Sequence, residues 1–170
     1  NAGRSHVDDL SDADIAAMVA AGFRATTDAA VIAEAATVVV CVPTPLGAEG
    51  GPDLTAVRSA VASIGAHLQR GQLVVLESTT YPGTTEEVVK PLLEEASGLV
   101  AGEDFHLAFS PERIDPGNPT WGLANTPKVV GGLDAAATAK AAAFYGKFVH
   151  TIVEAAGAKE AETAKLLENT

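Results

Sequence analysis

Three short polar segments in this 170-residue sequence each follow an apolar run and carry side chains that could do chemistry. They are Thr44 between two prolines, the hydroxyl run 78–80, and the pair Glu112 and Arg113. Hydroxyl groups can donate hydrogen bonds to a phosphate, a ribose or a catalytic water. A carboxylate can act as a general base or orient a water molecule. These segments are therefore the first candidates for a functional site.

Each segment also has a purely structural interpretation. The prolines around Thr44 can form a rigid turn, and the hydroxyls at 78–80 can serve as local turn and helix-cap ligands. Glu112 and Arg113 can form a surface ion pair, which contributes little stability. The residue types alone do not choose between these interpretations and the functional ones.

A fourth candidate is the pair Lys165 and Asn169 in the last helical pattern of the chain. Residues four apart project from the same face of a helix. An ammonium beside an amide could stabilise a developing alkoxide. The alternative is an ordinary solvated helix face, which the neighbouring Glu160 and Glu162 favour.

The elements that must position these residues follow from alternating strand and helix patterns. Strands are predicted at 23–26, 38–42, 73–76, 106–109, 128–130 and 150–153. Helices are predicted at 12–21, 29–36, 53–68, from 84 to about 93, 134–148 and 159–170. Asp53 and Asp134 are expected at helix N-termini, and Thr84 with Glu87 has the spacing of a capping box.

Strands that are almost continuously apolar and alternate with single helices predict an α/β fold with a mostly parallel sheet covered on both faces. Ligands of such sheets bind at the carboxyl ends of the strands. The segments 43–51, 77–84 and 110–118 all follow predicted strands. We therefore expect the candidate residues to share one edge of the sheet.

Composition argues against several kinds of partner. A net charge of -11 disfavours binding to nucleic acids and anionic membranes, which are polyanions. Cys41 is the only cysteine, so it cannot form an intrachain disulfide, and we expect a small buried residue rather than a nucleophile. The four histidines show no metal-ligand spacing. No apolar run approaches the roughly 20 residues of a membrane span, so the cytoplasm is the expected compartment.

Five segments occur in the order seen in nucleotide-sugar dehydrogenases. After the opening residues 1–10 come VCVPTP, ESTTYPGTTEEVVKPLLE, LAFSPERIDPGN and the terminal AKLLENT. The chain resembles this family along essentially its whole length. The forms ESTTYPGTTEE and SPERIDPGN are most similar to the branch that acts on UDP-N-acetylhexosamines, especially UDP-N-acetylglucosamine.

The resemblance implies a Rossmann-like, doubly wound fold and NAD as the cofactor. Residues 1–153 would form the NAD-binding domain, and 154–170 would begin a connecting and dimerisation helix. The family oxidises the sugar C6 hydroxyl to a carboxylate in two hydride transfers, through a cysteine-linked thioester that is then hydrolysed. The implied partners are a UDP-sugar and a second subunit, and the implied role is the supply of surface-polysaccharide precursors.

The same resemblance assigns roles to individual residues. Val42, Pro43 and Thr44 would line the NAD site together with Ser78 and Thr79. Thr79 would position a water molecule, and Glu112 would act as acid and base in the hydrolysis. Lys165 and Asn169 would stabilise the oxyanion at C6, because preorganised donors act where charge develops.

Two departures from the family pattern lead to further expectations. The family's GxGxxG loop would precede Asn1, and its catalytic cysteine would lie beyond Thr170, since Cys41 does not match its context. We expect this chain alone to be inactive, to bind NAD weakly and to be poorly stable or self-associating, because its sheet would expose an apolar edge. The alternatives are a non-catalytic dinucleotide- or partner-binding domain, and a β-hydroxyacid dehydrogenase with the same Lys-x-x-x-Asn spacing.

Overall fold

The computed structural model describes residues 2–6, 10–47, 50–113 and 120–168, with the side chain of residue 168 left aside. These ranges contain five strands and five α-helices. The strands are β1 (Thr37–Val40), β2 (Leu73–Leu76), β3 (His106–Phe109), β4 (Lys128–Gly132) and β5 (Ile152–Glu154). The helices are α1 (Asp12–Ala20), α2 (Thr55–Gly65), α3 (Lys90–Ser97), α4 (Ala135–Tyr145) and α5 (Ala158–Glu168).

The strands form one sheet in the order β1-β2-β3-β4-β5. β1 pairs in parallel with β2, β2 with β3, and β4 with β5. The pairing of β3 with β4 is antiparallel, so the last two strands run opposite to the first three. A parallel return requires a crossover element, and the described parts of the 110–127 connection contain no helix. The predicted α/β fold with a mostly parallel sheet is confirmed, with this one reversal.

Alternation along β2 divides the core between the two faces of the sheet. Val74 and Leu76 belong to the cluster that includes α2, α3 and the start of α5. Leu73 and Val75 pack on the other face with Ala141 and Tyr145 of α4. All four residues of β2 are buried, as expected for a strand covered on both sides.

Near the amino terminus the structure departs from the predicted elements. Residues 23–26 form no strand, and Phe23 is exposed. Thr26 instead accepts a hydrogen bond from the amide of Asp28, whose carboxylate caps a short 3-10 helix, Ala29–Glu34. Local hydroxyl and carboxylate bonds therefore form a turn where apolar residues favoured extension. The predicted helix at 29–36 is this 3-10 helix.

Of the three predicted helix-capping arrangements, the one at Asp134 is confirmed, because Asp134 caps α4 through the amide of Ala137 at 2.7 Å. Asp53 accepts from the amide of Thr55 at 2.8 Å, but the N-cap of α2 is Leu54, one residue later than predicted. The predicted capping box of Thr84 and Glu87 is wrong, because the Thr84 hydroxyl donates to the carbonyl of Tyr81. The helix there begins with a π-helical turn, Thr85–Val89, which continues into α3.

Candidate functional site

A cavity of about 310 Å³ lies at the carboxyl ends of β1 and β2. Its lining comes from both strand ends and from Glu112 after β3: Cys41, Val42, Pro43, Thr44, Glu77, Ser78, Thr79 and Glu112. All five residues predicted to bind a cofactor are among them. The sheet therefore places three separate polar segments around one opening, as parallel strand ends require.

Two hydroxyls join the loops after β1 and β2. Ser78 is buried, and its Oγ accepts a hydrogen bond from the amide of Val42 at 2.9 Å. The Oγ1 of Thr44 donates to the carbonyl of Thr79 at 2.6 Å. These bonds fix the Val42–Thr44 backbone against the 78–79 turn. Both hydroxyls thus have a structural use, although their bonds join two loops and are not the local turn or cap bonds considered from the sequence.

The other two hydroxyls of the 78–80 run have different surroundings. Thr79 is exposed and lines the cavity. The Oγ1 of Thr80 is buried and has no hydrogen-bond partner within the described structure. Of the three adjacent hydroxyls, Thr79 is the one placed to meet a ligand or a water molecule in the cavity.

Glu112 and Lys165 lie together although 53 residues separate them. The Nζ of Lys165 donates to the backbone carbonyl of Glu112 at 2.6 Å. Glu112 is half-buried at the cavity, and its Oε1 accepts from the amide of Arg113. The structure therefore brings Thr79, Glu112 and Lys165 to one edge of the sheet. Asn169 lies outside the described residues.

The side chain of Glu162 helps to hold α5 in this place. Glu162 is buried, and its Oε1 accepts from both the amide and the hydroxyl of Thr85, at 2.9 and 2.7 Å. Its Oε2 accepts from the amide of Gly83. The carboxylate therefore caps the helix that follows the 78–84 segment. Burial raises the pKa of Glu162, while the bonds from Thr85 and Gly83 oppose the rise. The solvated helix face, which the sequence left open as the alternative for the last helix, is therefore wrong at Glu162, because this side chain is buried.

A second group of residues lies beside the cavity and was not predicted. The Glu77 carboxylate pairs with the Nζ of Lys128 at 2.8 Å and accepts from the hydroxyl of Tyr145 at 2.5 Å. Burial and the neighbouring Glu77 raise the pKa of Tyr145, so its hydroxyl stays a donor. The only sequence signal was the position of Glu77 directly after β2, because its partners come from β4 and α4.

Cys41 is exposed at the cavity rather than buried as expected. Its Sγ donates to the Oε2 of Glu77 at 3.4 Å. Partial desolvation, followed by the negative charge of Glu77, raises the pKa of the thiol to about 12. A thiol that holds its proton so firmly is a poor nucleophile near neutral pH.

Three further observations concern the described ranges. Among these residues no group of three or more His, Cys, Asp or Glu side chains could hold a metal ion. No helix there is long and apolar enough to cross a membrane. A wider cavity of about 540 Å³ opens beside the start of α2, with Asp53, Arg58 and Tyr81 in its lining.

The cavity at the strand ends fits part of a dinucleotide. Its volume lies at the lower end of the range for small-molecule sites, about 300–1,000 Å³. Val42 and Pro43 supply apolar wall, and Thr79 adds a hydroxyl beside it. An apolar wall with a few polar groups is the usual lining of a cofactor site. The residues present are therefore compatible with part of NAD.

Known proteins with similar sequences are nucleotide-sugar dehydrogenases. The UDP-N-acetyl-D-glucosamine 6-dehydrogenase of Salmonella typhi is 39% identical over 137 residues, which cover 78% of this chain and 31% of that protein. The enzyme of the same name from Pseudomonas aeruginosa is 41% identical over 137 residues, covering 78% of this chain and 32% of that protein. The chain thus spans about a third of the length of these relatives.

Solved structures show the same fold. The UDP-D-ManNAc dehydrogenase structure from Pyrococcus horikoshii superposes with a TM-score of 0.91 at 33% identity, covering 98% of this chain and 40% of that one. Residues 1–149 match the description "UDP-glucose/GDP-mannose dehydrogenase family, NAD binding domain". The chain belongs to the UDP-glucose/GDP-mannose dehydrogenase family, and residues 1–149 correspond to its NAD-binding domain.

Proposed function

We propose that the intact protein containing this chain is an NAD-dependent UDP-sugar 6-dehydrogenase acting on a UDP-N-acetylhexosamine such as UDP-N-acetylglucosamine or an epimer. One observation carries the proposal. In a chain of this family, Thr79 and Glu112 line one cavity and Lys165 bonds to the backbone of Glu112, although the three residues come from distant segments. The names of the relatives, which include UDP-N-acetyl-D-glucosamine and UDP-N-acetyl-D-mannosamine dehydrogenases, support the choice of sugar.

The cavity lining would hold the cofactor in a fixed pose. NAD, when bound, supplies the hydride acceptor. Val42 and Pro43 would contact its nicotinamide end, and Thr79 would offer a hydroxyl. Ser78 and Thr44 would contribute by fixing the loop, because their hydroxyls bond to backbone groups. A rigid loop preserves the short donor–acceptor distance that hydride transfer needs.

The remaining residues would handle protons and charge on the sugar. Thr79 would position the attacking water, and Glu112 would remove its proton and return a proton to the departing group. Lys165, with Asn169, would stabilise negative charge on the C6 oxygen. The net reaction converts the C6 alcohol, one water and two NAD⁺ into the carboxylate, two NADH and three protons. The catalytic cysteine would come from another part of the intact protein, since Cys41 holds its proton too firmly.

Two alternatives remain from the sequence. A β-hydroxyacid dehydrogenase shares the Lys-x-x-x-Asn spacing. A non-catalytic binding domain would need the cavity for its ligand, but it would not need the groups that transfer protons. The family match and the identity to nucleotide-sugar dehydrogenases favour the UDP-sugar enzyme.

The proposal also covers the domain organisation of the protein, its compartment and its partners. Residues 1–153 would serve as the NAD-binding domain, and 154–170 would begin the helix that connects to the sugar domain and supports a homodimer. The enzyme would work in the cytoplasm and supply precursors of surface polysaccharides. It would have no nucleic-acid or membrane partner, in keeping with its acidic charge.

The test is an NADH-formation assay of the intact protein with separate substrates. UDP-N-acetylglucosamine, UDP-N-acetylmannosamine, UDP-glucose and a β-hydroxyacid would be compared at equal concentration. Activity is expected with a UDP-N-acetylhexosamine. Activity with the hydroxyacid alone would replace the proposal with the first alternative, and NAD binding without turnover of any substrate would favour the second.

A further inference from the structure

The charged side chain of Lys128 is buried beside the candidate site. Only 6% of it is exposed, and it needs partners there because an unpaired buried ammonium is strongly unfavourable. Its Nζ lies 2.8 Å from Glu77 Oε1 and 5.0 Å from the centre of the Tyr145 ring. Its third contact is the backbone carbonyl of Pro111, at 3.2 Å. Lys128 therefore joins the residue directly after β2, α4 and the segment after β3.

Pro111 explains why a side chain is used at this point. The antiparallel pairing of β3 with β4 aligns Ala108 with Gly132 and Phe109 with Gly131. Farther along, Pro111 and Pro127 have no amide hydrogen, so regular ladder bonds cannot continue there. Regular pairing therefore ends at Phe109 and Gly131, before the chain reaches Glu112.

Three side chains replace the missing ladder bonds. Ser110 Oγ donates to the carbonyl of Val129 at 2.8 Å, and Arg113 Nη1 donates to the carbonyl of Pro127 at 2.7 Å. Between them, Lys128 donates to the carbonyl of Pro111. The Lys128 bond holds the residue before Glu112, the Arg113 bond holds the residue after it, and Lys165 holds the carbonyl of Glu112 itself.

We infer that Lys128 is a positioning residue for Glu112, with Glu77 and Tyr145 holding its ammonium in place. This inference rests on the proposed function, in which Glu112 transfers protons during hydrolysis. Lys128 reaches the backbone of the preceding residue and acts through it, so it is not itself a catalytic residue. Glu77 is needed because its carboxylate balances the buried charge and points the ammonium at Pro111.

The experiment uses the intact protein and the variants Lys128→Met and Lys128→Arg. The methionine variant should lower kcat by roughly 10²-fold, the scale of a misplaced acid–base group. The KM for the UDP-sugar and the Kd for NAD should change less than about twofold, because the cavity lining is unchanged. Slower hydrolysis should also produce a pre-steady-state burst of NADH. An arginine side chain can reach both Glu77 and the carbonyl of Pro111, so Lys128→Arg should restore most of kcat.

Controls separate positioning from folding. Lys147→Met removes an exposed lysine and should behave like the wild type. If Lys128→Met fails to fold, the double variant Glu77→Gln/Lys128→Met removes both charges and leaves no unpaired buried ion. It should fold, lack the bond to Pro111 and show the same burst. Wild-type kcat in a folded variant, or a raised Kd for NAD without a burst in Lys128→Met, would overturn the inference.

Amide hydrogen exchange provides a readout that does not depend on activity. In the double variant, exchange at Glu112 and Arg113 should rise roughly tenfold, while exchange in α2 should not change. Unchanged exchange at both residues would also overturn the inference. If the wild-type protein oxidises no UDP-sugar but exchange at Glu112 rises in the variant, the proposed function fails and the positioning contact stands.

Discussion

Glu162 Oε1 accepts hydrogen bonds from both the amide and the hydroxyl of Thr85. One buried carboxylate thus connects the helix that carries Lys165 to the segment that carries Thr79. Glu162 and Thr85 lie far apart in the sequence. Their contact therefore helps define the position of Lys165 relative to Thr79 in the candidate site.

The Glu162–Thr85 contact predicts a pH-dependent stability. Burial raises the pKa of Glu162 above the ordinary value of 4.5, so the folded state binds its proton more tightly than the unfolded state. The contribution of this group to stability is then fully present below 4.5 and is lost as pH rises toward the raised pKa. Urea unfolding of wild type and Glu162→Gln at several pH values should show this loss in the wild type alone.

Glu162→Ala is compared with Glu162→Gln, because glutamine keeps the size of the side chain and alanine does not. It leaves Gly83 and Thr85 without their acceptor and opens a cavity, so it should cost about 2–4 kcal/mol at neutral pH, more than the glutamine variant. Glu160→Ala, at an exposed position on the same helix, should cost less than about 0.5 kcal/mol. Equal effects of Glu160→Ala and Glu162→Ala would contradict the proposed cap.

Cys41 should react slowly with thiol reagents. A pKa of about 12, against an ordinary 9.0, lowers the thiolate fraction at pH 8 by about 10³-fold. Iodoacetamide labelling followed by mass spectrometry would measure the rate, with glutathione as the reference thiol. The double variant Glu77→Gln/Lys128→Met, which leaves no unpaired buried ion, removes one cause of the shift and should speed labelling. A wild-type rate equal to that of glutathione would show that the thiol is not protected.

Gly131 is expected to be intolerant of any side chain. A Cβ there would lie 2.0 Å from the carbonyl oxygen of Gly157, immediately before α5. Gly131→Ala should therefore displace α5 and cost about 3 kcal/mol of unfolding free energy. Gly122→Ala is the control, because nothing lies within 4 Å of its added Cβ. Similar urea midpoints for the two variants would disprove the close packing of β4 against α5.

Ser78→Ala tests how the cavity loop is held. The variant removes the acceptor for the Val42 amide, which should cost about 1–2 kcal/mol and weaken NAD binding by the intact protein several-fold. Ser63→Ala is the matched control, since Ser63 bonds only to the preceding turn of α2 at an exposed position. Calorimetric titration would measure the NAD affinity of both variants. Unchanged NAD affinity in Ser78→Ala would remove the loop from the cofactor site.

The sequence predicted the sheet and the edge where the candidate residues meet, because both follow from local patterns. Val74 and its neighbours in β2 form a continuous apolar run, and the polar residues after each strand are visible directly. The turn at 26–28 was missed because the local bonds of Thr26 and Asp28 outweigh a short apolar stretch.

The contacts around Glu77 and Glu162 could not be predicted in the same way. Lys128 meets Glu77 only because β4 is antiparallel to β3, and this reversal depends on a connection without a periodic pattern. A glutamate such as Glu162, in a helix rich in charged residues, is expected to be solvated. Only the packing of α5 against the 83–85 turn buries its side chain. Long-range pairing, rather than residue type, decides both cases.

The most direct test of the central claim is the yield of NADH from a limiting amount of UDP-sugar. The intact protein would be given excess NAD and a known quantity of its preferred UDP-N-acetylhexosamine, and absorbance would be followed to completion. We predict two NADH per sugar, with a uronic acid as the product found by mass spectrometry. One NADH per sugar with an aldehyde product, or no NADH with any UDP-sugar, would contradict the account.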